Sequence, residues 1–109
     1  MDREKNMKNY LINFKALAWE SPAAGVRQKA FIQGGQRIRL VEFSDNFVEA
    51  DWCRKGHAGY VLEGRLAIDF NGKRVEFKAG DGLWIAEGEP HKASVARGET
   101  ALLILFEKK

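Results

Sequence analysis

The stretch Arg65-Leu66-Ala67-Ile68-Asp69-Phe70-Asn71-Gly72-Lys73-Arg74-Val75-Glu76-Phe77 reads as a β-hairpin. Leu66, Ile68 and Phe70 alternate with Arg65, Ala67 and Asp69, the two-residue period of a strand with one buried face. Asn71-Gly72 sits where the chain must reverse, and both residue types tolerate the positive φ that a type I′ turn demands. Outward from this hairpin the same grammar repeats. Eleven glycines punctuate short apolar segments at the spacing of roughly 8 to 12 residues expected of an all-β domain. Strands are predicted at 26–32, 37–43, 47–53, 58–62, 65–70, 74–77, 83–86, 91–95 and 101–107, enough for a sandwich or a barrel.

Upstream the pattern changes. Leu11, Ile12, Phe14 and Leu17 match neither the strand nor the helix period, so a short helix or an irregular segment is expected, and Ser21-Pro22 ends any helix there. Residues 1–25 are therefore read as an N-terminal arm, partly helical, and 26–109 as the β domain. A chain of 109 residues fits one domain able to bury about two-thirds of its surface.

Composition excludes several classes. A single cysteine, Cys53, forms no intramolecular disulfide, which argues against a disulfide-built scaffold and for a reducing, cytoplasmic location. The first residues, Met1-Asp2-Arg3-Glu4-Lys5, do not resemble a signal peptide, and no apolar run approaches the ~20 residues of a membrane span. The net charge of +3 is spread along the chain with no block of five like charges, so neither a nucleic acid nor a membrane surface is indicated as partner.

The residues that carry chemistry are Asp51, Cys53, His57 and His91, a donor set suited to divalent transition metals. On a strand over 47–53, Asp51 and Cys53 share a face about 7 Å apart. His57 returns to that face after Lys55-Gly56, and His91 follows Pro90 as a distant fourth ligand. Each has a plainer reading. Asp51 caps a turn, Cys53 packs as a small hydrophobe, and either histidine is a hydrogen-bonded structural residue.

Two segments sharpen the choice. Gly56-His57-Ala58-Gly59-Tyr60-Val61-Leu62-Glu63-Gly64 and Gly80-Asp81-Gly82-Leu83-Trp84-Ile85-Ala86-Glu87-Gly88-Glu89-Pro90-His91 resemble the two signature motifs of the cupin superfamily. In that family the first motif runs G(X)5HXH, three or four residues, E, six residues, G, and the second runs G(X)5PXG(X)2H(X)3N. The resemblance puts Asp51 and Cys53 at the two HXH positions, His57 at the glutamate and Gly64 at the closing glycine; Gly80, Gly88 and His91 match the second motif in register. Asp45, Ala86 and Val95 depart from the first glycine, the proline and the asparagine. Three of four ligand positions are altered, yet every replacement still binds metal, which points to a changed ligand set and leaves a vestigial pocket as the other reading.

The resemblance implies a cupin double-stranded β-helix, or jelly-roll barrel, with a divalent metal at Asp51, Cys53, His57 and His91 below a small-molecule pocket. A thiolate, a carboxylate and two imidazoles favour zinc, and four protein ligands would close its tetrahedron. Asp51, His57 and His91 alone make the two-histidine, one-carboxylate set of iron(II) oxygenases, so an iron-dependent dioxygenase or isomerase is the alternative. A non-catalytic binding module and a metal-free barrel also remain open. Trp52, Tyr60, Trp84 and Phe31, with Arg39 and Glu49, are candidates to line the pocket, although such aromatics also fill cores and interfaces. Small cupins commonly pair through their N-terminal strands, which makes a homodimer the expectation.

Overall fold

The structure, a computed structural model, describes residues 10–109; the first nine residues of the expected arm lie outside the described ones. A single 3-10 turn, Phe14–Ala16, precedes eight strands: β1 (Glu20–Ala23), β2 (Val26–Gln33), β3 (Gln36–Ser44), β4 (His57–Phe70), β5 (Lys73–Lys78), β6 (Gly82–Ile85), β7 (Lys92–Ser94) and β8 (Thr100–Lys108). The all-β expectation holds, and no α-helix occurs among the described residues. None of their helices is therefore long and apolar enough to cross a membrane.

All pairings are antiparallel. One sheet runs β1-β2-β3-β8 to the first half of β4, with β6 on the far side of that half. The second half of β4 pairs with β5 and β7 to make the opposing sheet. One long strand thus belongs to both layers, where the sequence suggested two strands at 58–62 and 65–70. The glycine taken as a separator is a crossing point. Gly64 has φ +75°, next to a register shift between Val61 and Glu63, and a Cβ there would overlap the Thr100 carbonyl oxygen of β8. The Asn71-Gly72 turn has positive φ at both residues, 54° and 103°, and holds the β4–β5 hairpin in the register its alternation demanded.

The expected strand at 47–53 does not form. After β3 the chain turns, with the Phe47 amide donating to the Ser44 carbonyl at 3.1 Å and the Phe47 ring packing on Phe43 at 5.0 Å. Both edges of β3 are already occupied by β2 and β8, so the segment has no partner there and runs irregularly until Cys53. Within the stretch read as an arm, β1 pairs with β2 at the edge of the sheet, where Pro22 removes no needed ladder bond.

The core lies between the layers. Val41, Leu103 and Val61 stand side by side on β3, β8 and β4, each at most 1% exposed, and pack with Leu66, Ile68, Leu83 and Ile85. Each such side chain contributes about 1.5–3 kcal/mol on burial. The outward face carries a second apolar row. Trp84, Ala58, Phe106, Ile38 and Phe31 are successive cross-strand neighbours on β6, β4, β8, β3 and β2.

Candidate metal centre

Cys53 and His91 are brought together by the backbone. Each amide donates to the other's carbonyl at 2.9 Å, an isolated antiparallel bridge that sets their side chains on one face. His57 opens β4, paired with Ile85 of β6. Its ring stands edge-on to that of His91 with centroids 5.2 Å apart, and Phe70 closes the other side of His91 at 6.2 Å. The donor atoms of Cys53, His57 and His91 all fall within 4.8 Å of one another, with Cys53 Sγ 3.8 Å from His57 Nε2.

The remaining ring nitrogens are oriented for ligation. His91 Nδ1 donates to the Glu89 carbonyl at 2.8 Å, so Nε2 is the nitrogen that carries the free lone pair. Its neighbours Gly88 and Pro90 shape the loop that carries this carbonyl. Nδ1 of His57 abuts Oε2 of Glu107, which likewise turns Nε2 toward Cys53. A carboxylate or carbonyl behind each histidine is the arrangement that fixes tautomer and raises ligand basicity at metal sites. The donor set and its outer partners therefore fit a divalent ion.

Glu107 sits at the centre of a charge network. Its side chain is 1% exposed and takes hydrogen bonds from Arg39 Nε and Nη2, both 2.7 Å, and from Arg37 Nε at 3.0 Å. Burial pushes its carboxyl pKa up, but the hydrogen bonds and charges of His57 and Arg39 outweigh this and hold it well below the ordinary carboxylate range. Glu107 stays ionised. Sequence reasoning overlooked Glu107 and Arg37, yet a signal was there: Glu107 continues the inward parity of Ala101, Leu103 and Leu105 on β8, a charged residue at a core position.

Of the four expected ligands, the structure brings Cys53, His57 and His91 together and leaves Asp51 exposed, outside the cluster. The parity argument that paired Asp51 with Cys53 needed a regular strand, and the backbone there is irregular. The anticipated lining residues divide similarly. Arg39 and Glu49 line a cavity of about 380 Å³ above the cluster, with Glu49 Oε1 accepting from the Ala93 amide at 2.9 Å. Phe43, Phe47, Leu66, Leu83 and Leu105 make its apolar wall. Trp84 is 82% exposed on the outer row, Tyr60 is exposed, Phe31 lines a shallow groove on the outer face, and Trp52 lies under Lys92 at 4.8 Å.

The family model described as "Cupin domain" matches residues 54–106. Among solved structures, an RmlC-like cupin from Shewanella frigidimarina superposes with TM-score 0.71 at 18% identity, over 92% of this chain and 91% of that one. The chain is a small cupin-domain protein. The cupin also resembles the polyketide cyclase RemF from Streptomyces resistomycificus, with TM-score 0.75 at 20% identity over 90% of this chain and 78% of that one. The iron(II) form of HppE gives TM-score 0.72 at 16% identity, and there this cupin covers 91% of itself but 60% of the other chain. These likenesses fix the jelly-roll fold. No curated protein matches the sequence.

Proposed function

We propose that this cupin holds a divalent metal, zinc in the first instance, through Cys53, His57 and His91, and uses it to bind and polarise a small organic molecule in the cavity above. The observation that carries the reading is the convergence of three donors within 4.8 Å, with both histidines oriented by acceptors at Nδ1. Three protein ligands leave a tetrahedral ion one further position, the pattern of catalytic zinc sites, whereas four ligands would have closed it. When bound, the ion supplies Lewis-acid polarisation of a ligand oxygen or nitrogen.

The chain's own residues do the rest. Glu107 keeps His57 in the ligating tautomer, the Phe43, Phe47 and Leu66 wall excludes water, and Glu49 offers a carboxylate at the cavity wall, anchored by Ala93. Thiolate among the ligands favours zinc over harder ions. Iron(II) is the second reading, supported by the iron(II) form of HppE among the structural neighbours. With Asp51 outside the cluster, that reading has lost the carboxylate of its facial set.

Elemental analysis of untagged protein tests this, beside Cys53→Ala and His91→Ala. About one zinc per chain in the parent protein, lost in both variants, is expected. Iron retained in Cys53→Ala would favour the second reading. No metal after reconstitution with zinc and with anaerobic iron(II) would overturn both.

A further inference from the structure

The cavity wall carries more positive charge than its buried partners neutralise. Arg37 and Arg39, 20% and 15% exposed at their side chains, share the single carboxylate of Glu107. Their donors are not used equally. Arg39 has an acceptor at each of its three nitrogens, with Nε and Nη2 on the two Glu107 oxygens at 2.7 Å and Nη1 on Gln28 Oε1 at 2.8 Å. Arg37 directs both Nε, at 3.0 Å, and Nη2, at 2.9 Å, to the one oxygen Oε1. Its Nη1 meets no acceptor among the described residues, although Arg37 lines the cavity. Lys55 and Glu49, also on the wall, offset one another, so the excess remains that of one guanidinium.

We infer that the cavity takes a small organic acid, whose carboxylate docks on Arg37 while its apolar body lies against Phe43, Phe47 and Leu66. A guanidinium presents a planar pair of donors matched to a carboxylate, and a partly buried one left short of acceptors gains most from a charged ligand. The apolar wall distinguishes an organic acid from an inorganic anion, which would leave that surface in contact with water. Charge excess, a spare donor and an apolar wall in one cavity point to one ligand class. The inference rests on this cavity being the ligand site proposed above, but not on which metal is present.

Binding of benzoate, benzamide and inorganic phosphate to metal-free protein, followed by NMR shifts of the cavity residues, tests it. Benzoate is expected to bind about ten-fold or more tighter than benzamide, the change that one charge-assisted hydrogen bond gives. Arg37→Gln should remove that preference, and Arg37→Lys should restore part of it, with each variant's fold checked by its amide spectrum. Equal binding of benzoate and benzamide to the parent protein would overturn the inference without requiring any variant. So would phosphate binding as tightly as benzoate, or a preference for benzoate that survives in a folded Arg37→Gln. Zinc content, measured on separate portions of the same proteins that have not been stripped of metal, reports on the metal reading: a protein that binds zinc without preferring benzoate defeats only the organic-acid inference.

Discussion

Strands β3, β8 and β4 build both ends of the barrel interior, and the ends differ in kind. At one end Val41, Leu103 and Val61 stand abreast, sealed and apolar. Four residues along the same strands, about 13 Å away, stand Arg37, Glu107 and His57, a polar group around the buried Glu107 carboxylate. The apolar end needs no explanation beyond transfer from water. The polar end does, because a buried ion network contributes no more stability than apolar side chains of the same volume would, and often less. Its presence is what the proposed site would use: Glu107 holds His57 of the candidate metal cluster on one side and two guanidiniums at the cavity wall on the other. The comparison teaches that stability and chemistry have been assigned to opposite ends of the same three strands.

Breaking the polar end should have the largest effect. Glu107→Ala leaves two guanidiniums facing each other without their carboxylate, and is expected to lower stability by about 3–5 kcal/mol in urea unfolding. The isosteric Glu107→Gln should keep the fold and still weaken zinc about 10- to 100-fold in a chelator competition, since His57 loses its charged partner. Leu103→Ala attacks the sealed end, and a cavity there should cost about 2–5 kcal/mol while zinc stoichiometry stays unchanged. If Leu103→Ala lost zinc at a protein concentration and temperature where it remained folded, the two ends would not be the separate devices described here.

The same contrast explains what was legible in the sequence. The sealed end follows from two-residue alternation, so the strands and the β4–β5 hairpin could be read off directly, turn included. Local pattern says nothing of strand partners, and the errors lie there. The segment over 47–53 looks like a strand, but both edges of the preceding β3 are taken and it pairs only at Cys53, so the parity argument for Asp51 failed with it. Gly64 looked like a break and is a point of close approach between β4 and β8. Of the candidate site, Cys53, His57 and His91 were picked out by chemistry and motif spacing, although the Cys53–His91 bridge spans 37 intervening positions and leaves no local trace. Glu107 and Arg37 were missed because each, taken singly, reads as an exposed charge near a strand end.

Acid should sharpen the comparison more gently than mutation. Glu107 has its carboxyl pKa held well below the ordinary value in the folded state, whereas in the unfolded chain it titrates near 4.3. Its contribution is therefore fully present above that unfolded value and is lost progressively as pH falls below it toward the folded one. Urea midpoints measured from about pH 6 down to 3 should fall, and Glu107→Gln should flatten that decline. Leu103→Ala should shift the whole curve down without changing its slope. A parallel acid decline in Glu107→Gln would mean that other carboxylates govern it.

The smallest effect on stability, and the most specific on assembly, is expected from the outer face. Trp84, Phe106 and Ile38 lie in one cross-strand row whose reverse side, one residue along, carries His57, Glu107 and Arg37, so the sheet here is polar inward and apolar outward. That inverts the usual arrangement. Trp84 at 82% and Phe106 at 49% exposure leave a contiguous apolar surface of the kind that marks an interface. A row crossing five strands can meet a copy of itself across a two-fold axis, which suits the expected homodimer. Trp84→Ser touches no buried contact and should alter unfolding free energy of the monomer by no more than about 0.5 kcal/mol. In sedimentation equilibrium it should nonetheless shift a dimeric parent protein toward monomer, with zinc content unchanged. A parent protein that is monomeric at all concentrations would show that this row serves no self-association, and a dimer indifferent to Trp84→Ser would place the interface elsewhere, on the N-terminal strands.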